Sequence, residues 1–222
     1  MKKFVVFSLI LFSFVLAGCG KLIKQVGSAI SEDRFNIFTG ETDQLSATLM
    51  CGKREQEYVV NGYSTPLINF GVITITLKKP SISHNNARVV ITIDTNRYEE
   101  VLEENPFDGT LVCDIKTITE LNDVTIKVFL DNLTQEITLH NISNSWKIDH
   151  SDALKLACKV LSHDLKTQIS SDAYKGEVYV KIIKDTKVNK GEYYWYVSFI
   201  GRNGNNHTVI INPLSGEVLA KN

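Results

Sequence analysis

The sequence predicts an α+β chain in two parts: an all-β domain of sandwich type over residues 35–145, then a small α+β domain over 148–222. Three observations predict it. Between residues 35 and 145, short alternating apolar runs recur with turn residues between them, the signature of a half-buried strand repeated many times. Residues 151–166 form the one long stretch with helical periodicity. After it, alternation resumes to the end of the chain. The length allows one or two domains, and a 43% apolar content is enough for packed cores.

Within the first part the runs are 45–50, 57–60, 70–77, 88–93, 110–118, 124–130 and 136–140. The third places Val72, Ile73, Ile75 and Leu77 among threonines. Asn61-Gly62 marks a hairpin, since both residues tolerate positive φ. Seven such strands argue an immunoglobulin-like sandwich. One helical interruption is expected at 96–104, capped by Asp94 or Thr95 and stopped by Asn105-Pro106. In the second part Ser151 is placed to cap a helix with Asp152 in its first turn. Leu154, Ala157, Cys158, Leu161 and Leu165 share one face of that helix. Strands are expected at 177–184, 192–200, 208–212 and 217–220, the last two separated by Pro213-Leu214-Ser215-Gly216.

The N-terminus has its own logic. Lys2 and Lys3 precede an apolar stretch from Phe4 to Leu16 that is broken only by Ser8 and Ser13. This is the layout of a secretory signal, and it is short for a membrane span. Leu16-Ala17-Gly18-Cys19 then resembles the bacterial lipobox. The resemblance implies a signal peptide over 1–18, cleavage before Cys19, and lipid (palmitate among it) on that thiol. The protein is then expected at the outer face of the cell membrane, held by its lipid. Removing the signal takes the formal net charge from −1 to −3. That balance offers no basic face for nucleic acid. Residues 19–34 read as a lipidated cysteine and tether. A short interfacial helix is the other reading, because Leu22, Ile23, Val26 and Ile30 fall at helical spacing.

The second part carries a further likeness. The helix start Ser151-Asp152-Ala153-Leu154-Lys155-Leu156-Ala157, the strand Tyr194-Trp195-Tyr196-Val197 and the closing run from Val209 to Leu219 resemble PepSY domains. Asn212 and Pro213 stand where that family usually has Asp-Ala. The resemblance covers about a third of the chain. It implies one helix on an antiparallel sheet and a noncatalytic extracytoplasmic domain with an inhibitory or peptide-binding role. It supplies no catalytic residue.

Residue types that carry chemistry are scattered. The five histidines show no metal-binding spacing, and no C-x-x-C occurs. Asp94-Thr95-Asn96 opens like a calcium loop but lacks the glycine and the closing glutamate. Glu99, Glu100, Glu103 and Glu104 read as a solvated face. No G-x-S-x-G or S-x-x-K is present. Cys158 and His163 stand on different faces of their helix, and Cys158 lies in its apolar stripe. Apart from Cys19, three cysteines remain. Either Cys51 and Cys113 bridge the two sheets, or all three are buried thiols. Tyr194, Trp195 and Tyr196 offer aromatic side chains to both faces of one strand, and one face is a candidate binding surface. The expectation is a noncatalytic, membrane-anchored module that binds a peptide or a cell-envelope protein without cofactor or metal. Its rivals are a regulator of an extracytoplasmic peptidase and a hydrolase with an unrecognised site.

Overall fold

The computed structural model describes residues 20–56, 65–79, 81–93, 95–116, 123–185 and 191–222. Among the described residues the chain is mostly antiparallel β, 56% strand against 15% helix. This overturns the α+β class. It divides into two compact units. One holds Arg34–Arg54 and Ile68–Trp146; the other holds the residues before Arg34, Glu55–Leu67 and Lys147–Asn222.

The first unit is built from β1 (Ile30–Glu41, from Arg34 onward), β2 (Leu45–Glu55), β3 (Leu67–Leu77), β4 (Arg88–Ile93), β5 (Asn96–Val101), β6 (Glu103–Glu104), β7 (Leu111–Ile115), β8 (Asp123–Leu130) and β9 (Leu133–Asn141). Going one way from β1, the hydrogen-bonded neighbours are β2, β3, β7 and β6. Going the other way they are β9, β8, β4 and β5. Only Leu102 separates β5 from β6. One end of the sheet therefore runs straight into the other, and the sheet is nearly closed and barrel-like. The expected two-sheet sandwich does not form.

Closure explains the failed helix at 96–104. Its glutamates favour a helix by propensity. In the structure Asn96–Val101 pairs along the whole of β4, and Glu103 and Glu104 pair with Val112 and Leu111. Leu102 turns inward, is buried, and donates its N–H to the carbonyl of Ala87 at 2.9 Å. A strand here satisfies two open edges at once, which local propensity cannot register.

The interior is filled by alternate residues, as a barrel of this size requires. Strand β8 is the plainest case: Val124, Ile126, Val128 and Leu130 are buried while Asp123, Thr125 and Lys127 face out. Phe38, Leu45, Leu49, Ile73, Ile91 and Leu139 join them in one core. Each such side chain contributes roughly 1.5–3 kcal/mol by leaving water.

The second unit carries the sheet order β15 (Val218–Lys221), β14 (Asn206–Ile211), β13 (Tyr193–Gly201), β12 (Gly176–Lys184) and the first residues of β1. The last pairing is parallel, with Ile30 opposite Val178 and Asp33 opposite Val180. Residues 20–27 form a helix, α1, with Leu22 and Val26 fully buried. The segment read as a tether is thus folded from residue 20 on: its apolar stripe is covered by protein. Cys19 and the hairpin expected at Asn61-Gly62 lie outside the described residues.

The expected long helix is two. Helix α2 (His150–Val160) is capped by the carboxylate of Asp149, which accepts from the N–H of Asp152. The chain leaves helical geometry at Leu161 and re-enters it in α3 (Ser162–Thr167). A hairpin, β10 (Ile169–Ser170) and β11 (Ala173–Tyr174), follows directly. The parallel strand, the leading helix, the broken helix and this hairpin depart from a PepSY-like helix on a sheet, so that expectation is corrected too.

Candidate functional site

The second unit holds a pocket of about 210 Å³ lined by Thr167, Gln168, Ser170, Lys175, Arg202 and Asn203. Three short segments bring these residues together. Thr167 and Gln168 close α3, Gln168 as its C-cap. Ser170 ends β10, and Lys175 directly follows β11. Arg202 and Asn203 begin the turn after β13. Backbone bonds lock the segments to one another: Lys175 N–H donates to the carbonyl of Gln168 at 3.0 Å, and Arg202 N–H to that of Lys175 at 3.1 Å.

The hairpin turns on Ser171 and Asp172, both with left-handed backbone at φ 52° and 59°. Two successive residues at positive φ are what a two-residue primed turn requires. The turn is fastened to α1, where Lys21 Nζ meets Asp172 Oδ1 at 2.9 Å and Gln25 Nε2 donates to the same oxygen at 3.3 Å. The Lys21 contact holds the Asp172 carboxyl below its ordinary range.

Gln168 is one of the lining residues. Its side chain is buried, with 8% of the residue exposed. Oε1 accepts from the hydroxyl of Tyr174 at 3.1 Å. Burial pushes the Tyr174 phenol well up, so it stays a donor. The ring of Tyr174 stands edge-on to Phe199, 6.3 Å between centroids. Gly201 leaves room for the amide, since a Cβ there would sit 2.3 Å from Gln168 Oε1. The other end of the amide is different: Nε2 is fully buried and meets no hydrogen-bond acceptor among the described residues. A buried polar group without a partner costs on the order of 1–3 kcal/mol. The pocket it lines includes, among the described residues, the cationic side chains of Lys175 and Arg202.

The aromatic run expected as a binding surface is mostly interior. Trp195 is 1% exposed and donates Nε1–H to the carbonyl of Ile148 at 2.8 Å. Tyr194 is buried as well, with its hydroxyl on Glu192 at 2.6 Å. Neighbours along a strand point to opposite faces, so both faces of β13 are covered here. Tyr196 alone of the three stays half-buried.

Cys51 and Cys113 are both thiols and are not bridged. They stand on β2 and β7, with β3 between those strands. Two strand spacings put their Cα atoms at least about 9 Å apart, beyond the roughly 7 Å that a disulfide spans. Burial, with help from Glu100 and Asp114, pushes the Cys113 thiol up to about 12. Cys158 is buried on the inner side of α2. Among the described residues no cluster of His, Cys, Asp and Glu is placed to hold a metal ion, and no helix is long and apolar enough to cross a membrane.

The sheet of this unit ends at β15, which among the described residues pairs only with β14. The turn before it is tightly made. Asn212 Oδ1 accepts from the N–H groups of Leu214 and Ser215 at 2.8 and 3.1 Å, and Gly216 supplies positive φ at 79°. Turn and edge strand put Leu214 and Leu219 into solvent, 62% and 45% exposed.

Sequence reasoning missed the pocket because its residues come from three separate segments and form no motif. The nearest signal was the polar turn Gly201-Arg202-Asn203-Gly204. No protein-family model matches the chain, and no curated protein or solved structure matches it either.

Proposed function

We propose that this chain is a lipid-anchored extracytoplasmic binding module that takes an extended peptide, or a segment of a cell-envelope protein, without covalent chemistry. The observation that carries the binding role is the open edge of β15, with Leu214 and Leu219 exposed beside it. An extended segment laid along that edge gains backbone hydrogen bonds, and alternate side chains choose their partners. The anchoring rests on Lys2, Lys3, the apolar run and the lipobox-like Leu16-Ala17-Gly18-Cys19. Two acyl chains would hold the module at a membrane without any further contact.

The regulator of a peptidase loses its footing with the PepSY-like fold on which it rested. A hydrolase needs carboxylates or a histidine converging in a pocket; the pocket at Gln168 is lined, among the described residues, by amides, hydroxyls and cations.

Anchoring is tested by expressing the chain and its Cys19→Ser variant in a bacterium fed labelled palmitate. Label on the first and not on the second supports the proposal; label on neither removes it. Binding is tested by screening a library of extended peptides and following amide exchange in the bound state. Slowed exchange at Val218–Lys221 is the expected result. Binders that leave those amides unprotected, or a library with no binders, would sink the edge-strand reading.

A further inference from the structure

We infer that the short link from Cys19 holds the second unit directly against the lipid bilayer, on the surface formed by the first turn of α1 and the β10–β11 turn. The start of β15 then points away from the membrane. This placement rests on the lipid anchoring proposed for Cys19 and adds that no free tether lies between lipid and folded chain.

The slack available to the chain decides the matter. Helix α1 begins at Gly20, the residue after Cys19. Lys21 is already fastened, its Nζ 2.9 Å from Asp172 Oδ1. Leu22 and Val26 are buried, 2% and 0% exposed. Two residue steps reach at most about 7 Å, so a lipidated Cys19 stays within that distance of Lys21. Acyl chains on its thiol draw Cys19 to the headgroup level, and the surroundings of Lys21 go with it.

Those surroundings are the β10–β11 turn. Ser171 and Asp172 are exposed, and Gln25 Nε2 also donates to Asp172 Oδ1, at 3.3 Å. Lys24 is exposed one helical turn beyond Lys21, on the same side of α1. The Asp172 carboxylate reaches the headgroups already paired with Lys21, so that pair brings no net charge to them. Two other uses of the segment are closed. A flexible tether needs unfolded residues after Cys19, and α1 is folded from Gly20. A helix lying in the interface needs its apolar stripe free for lipid, and Leu22 and Val26 are covered by protein.

The sheet sets the direction of the rest. Gly201 at the end of β13 pairs with Gly176, two residues after Tyr174 of β11. Toward its other end, β13 places Trp195 against Ile148, whose carbonyl accepts from Nε1–H at 2.8 Å. Ile148 N–H in turn donates to the carbonyl of Pro213 at 3.0 Å, in the turn before β15. Six strand residues, about 20 Å, separate Gly201 from Trp195. Leu214 and Val218 therefore lie at the end of the unit opposite the β10–β11 turn, and the edge assigned to an extended peptide begins in water.

The test uses the lipidated chain in phosphatidylcholine nanodiscs with a gadolinium chelate on a fraction of the headgroups. Backbone amides are followed by NMR, and the mass of the chain reports the lipid on Cys19. The expected result is loss of the signals of Lys21, Ser171 and Asp172, with those of Leu214 and Val218 retained. A second chain carries about twelve Gly and Ser residues, a flexible linker, between Cys19 and Gly20. It should keep its lipid and recover the lost signals. A chain without lipid on Cys19 removes the anchoring and this placement together. A lipidated chain overturns the placement alone if Ser171 and Asp172 keep their signals, if Leu214 and Val218 lose theirs equally, or if the inserted linker leaves the pattern unchanged.

Discussion

The hydroxyl of Tyr174 donates to Oε1 of Gln168 at 3.1 Å, a bond between two buried side chains. Tyr174→Phe keeps the ring against Phe199 and removes only the donor. It should cost about 1 kcal/mol of stability, read from urea unfolding curves with unchanged slope. A variant as stable as the parent would mean that the bond has no role in the folded state.

Gly201→Ala tests the same frame from the other side. The added methyl carbon would sit 2.3 Å from Gln168 Oε1 and 2.8 Å from Asn203 Oδ1. Forced overpacking of this kind costs roughly 1–3 kcal/mol. A thermal unfolding scan should show a lower midpoint, and the turn Arg202–Asn203 should show the largest NMR shifts. An unchanged midpoint would show that the Gln168 side chain moves aside at no cost.

Acid should unpick the first unit at one identifiable place. Asp131 follows β8 and accepts from the hydroxyl of Ser83, from the amide and backbone N–H of Asn86, and from those of Asn85. These bonds, that of Ser83 foremost, hold its carboxyl down to about 2. A carboxyl depressed in the folded state stabilises fully above its unfolded value and loses that contribution as pH falls through its folded value. The window is therefore about pH 4 down to pH 2. The midpoint difference between the parent and Asp131→Asn should be constant above pH 5 and shrink across that window. A difference that stays constant to pH 2 would contradict the assignment.

Cys113 reports on the disulfide directly. With its thiol pushed up to about 12, on the order of one molecule in ten thousand carries the thiolate at pH 8, and the thiolate is the reactive form. Iodoacetamide should leave Cys113 unmodified in the native chain and modify it in denaturant without reductant. A Cys113 that needs reductant before it reacts would reveal a bridge that the strand order forbids.

Much of the strand content was legible because it depends on local alternation. Arg88–Ile93 has the bounds its apolar pattern suggests, and Val124 to Leu130 alternates as a half-buried strand should. What stayed hidden depends on distant partners. Glu99, Glu100, Glu103 and Glu104 spell a helix until β4 and β7 present two unpaired edges to them. Ile30–Asp33 looked like a tether because its partner, β12, lies far along the chain. The same reason hides the pocket: Gln168 and Lys175 are near in sequence, but Arg202 reaches them only through the turn that β13 delivers. Trp195 was misplaced because alternation gives two faces and does not say that both are covered.

The parallel pairing of Ile30 with Val178 has a consequence for the order in which the chain can fold. Every residue from Arg34 to Trp146 is synthesised before the partner of Ile30 exists. The nearly closed sheet can therefore form first, while the opening segment of the other unit waits without its neighbour strand. At roughly 5–20 residues per second the wait from Trp146 to the end of β12 lasts about 2–8 s. During that time Leu22 and Val26 have no core to enter. A growing chain must keep those side chains out of trouble until Gly176–Lys184, the partner strand of Ile30, has emerged.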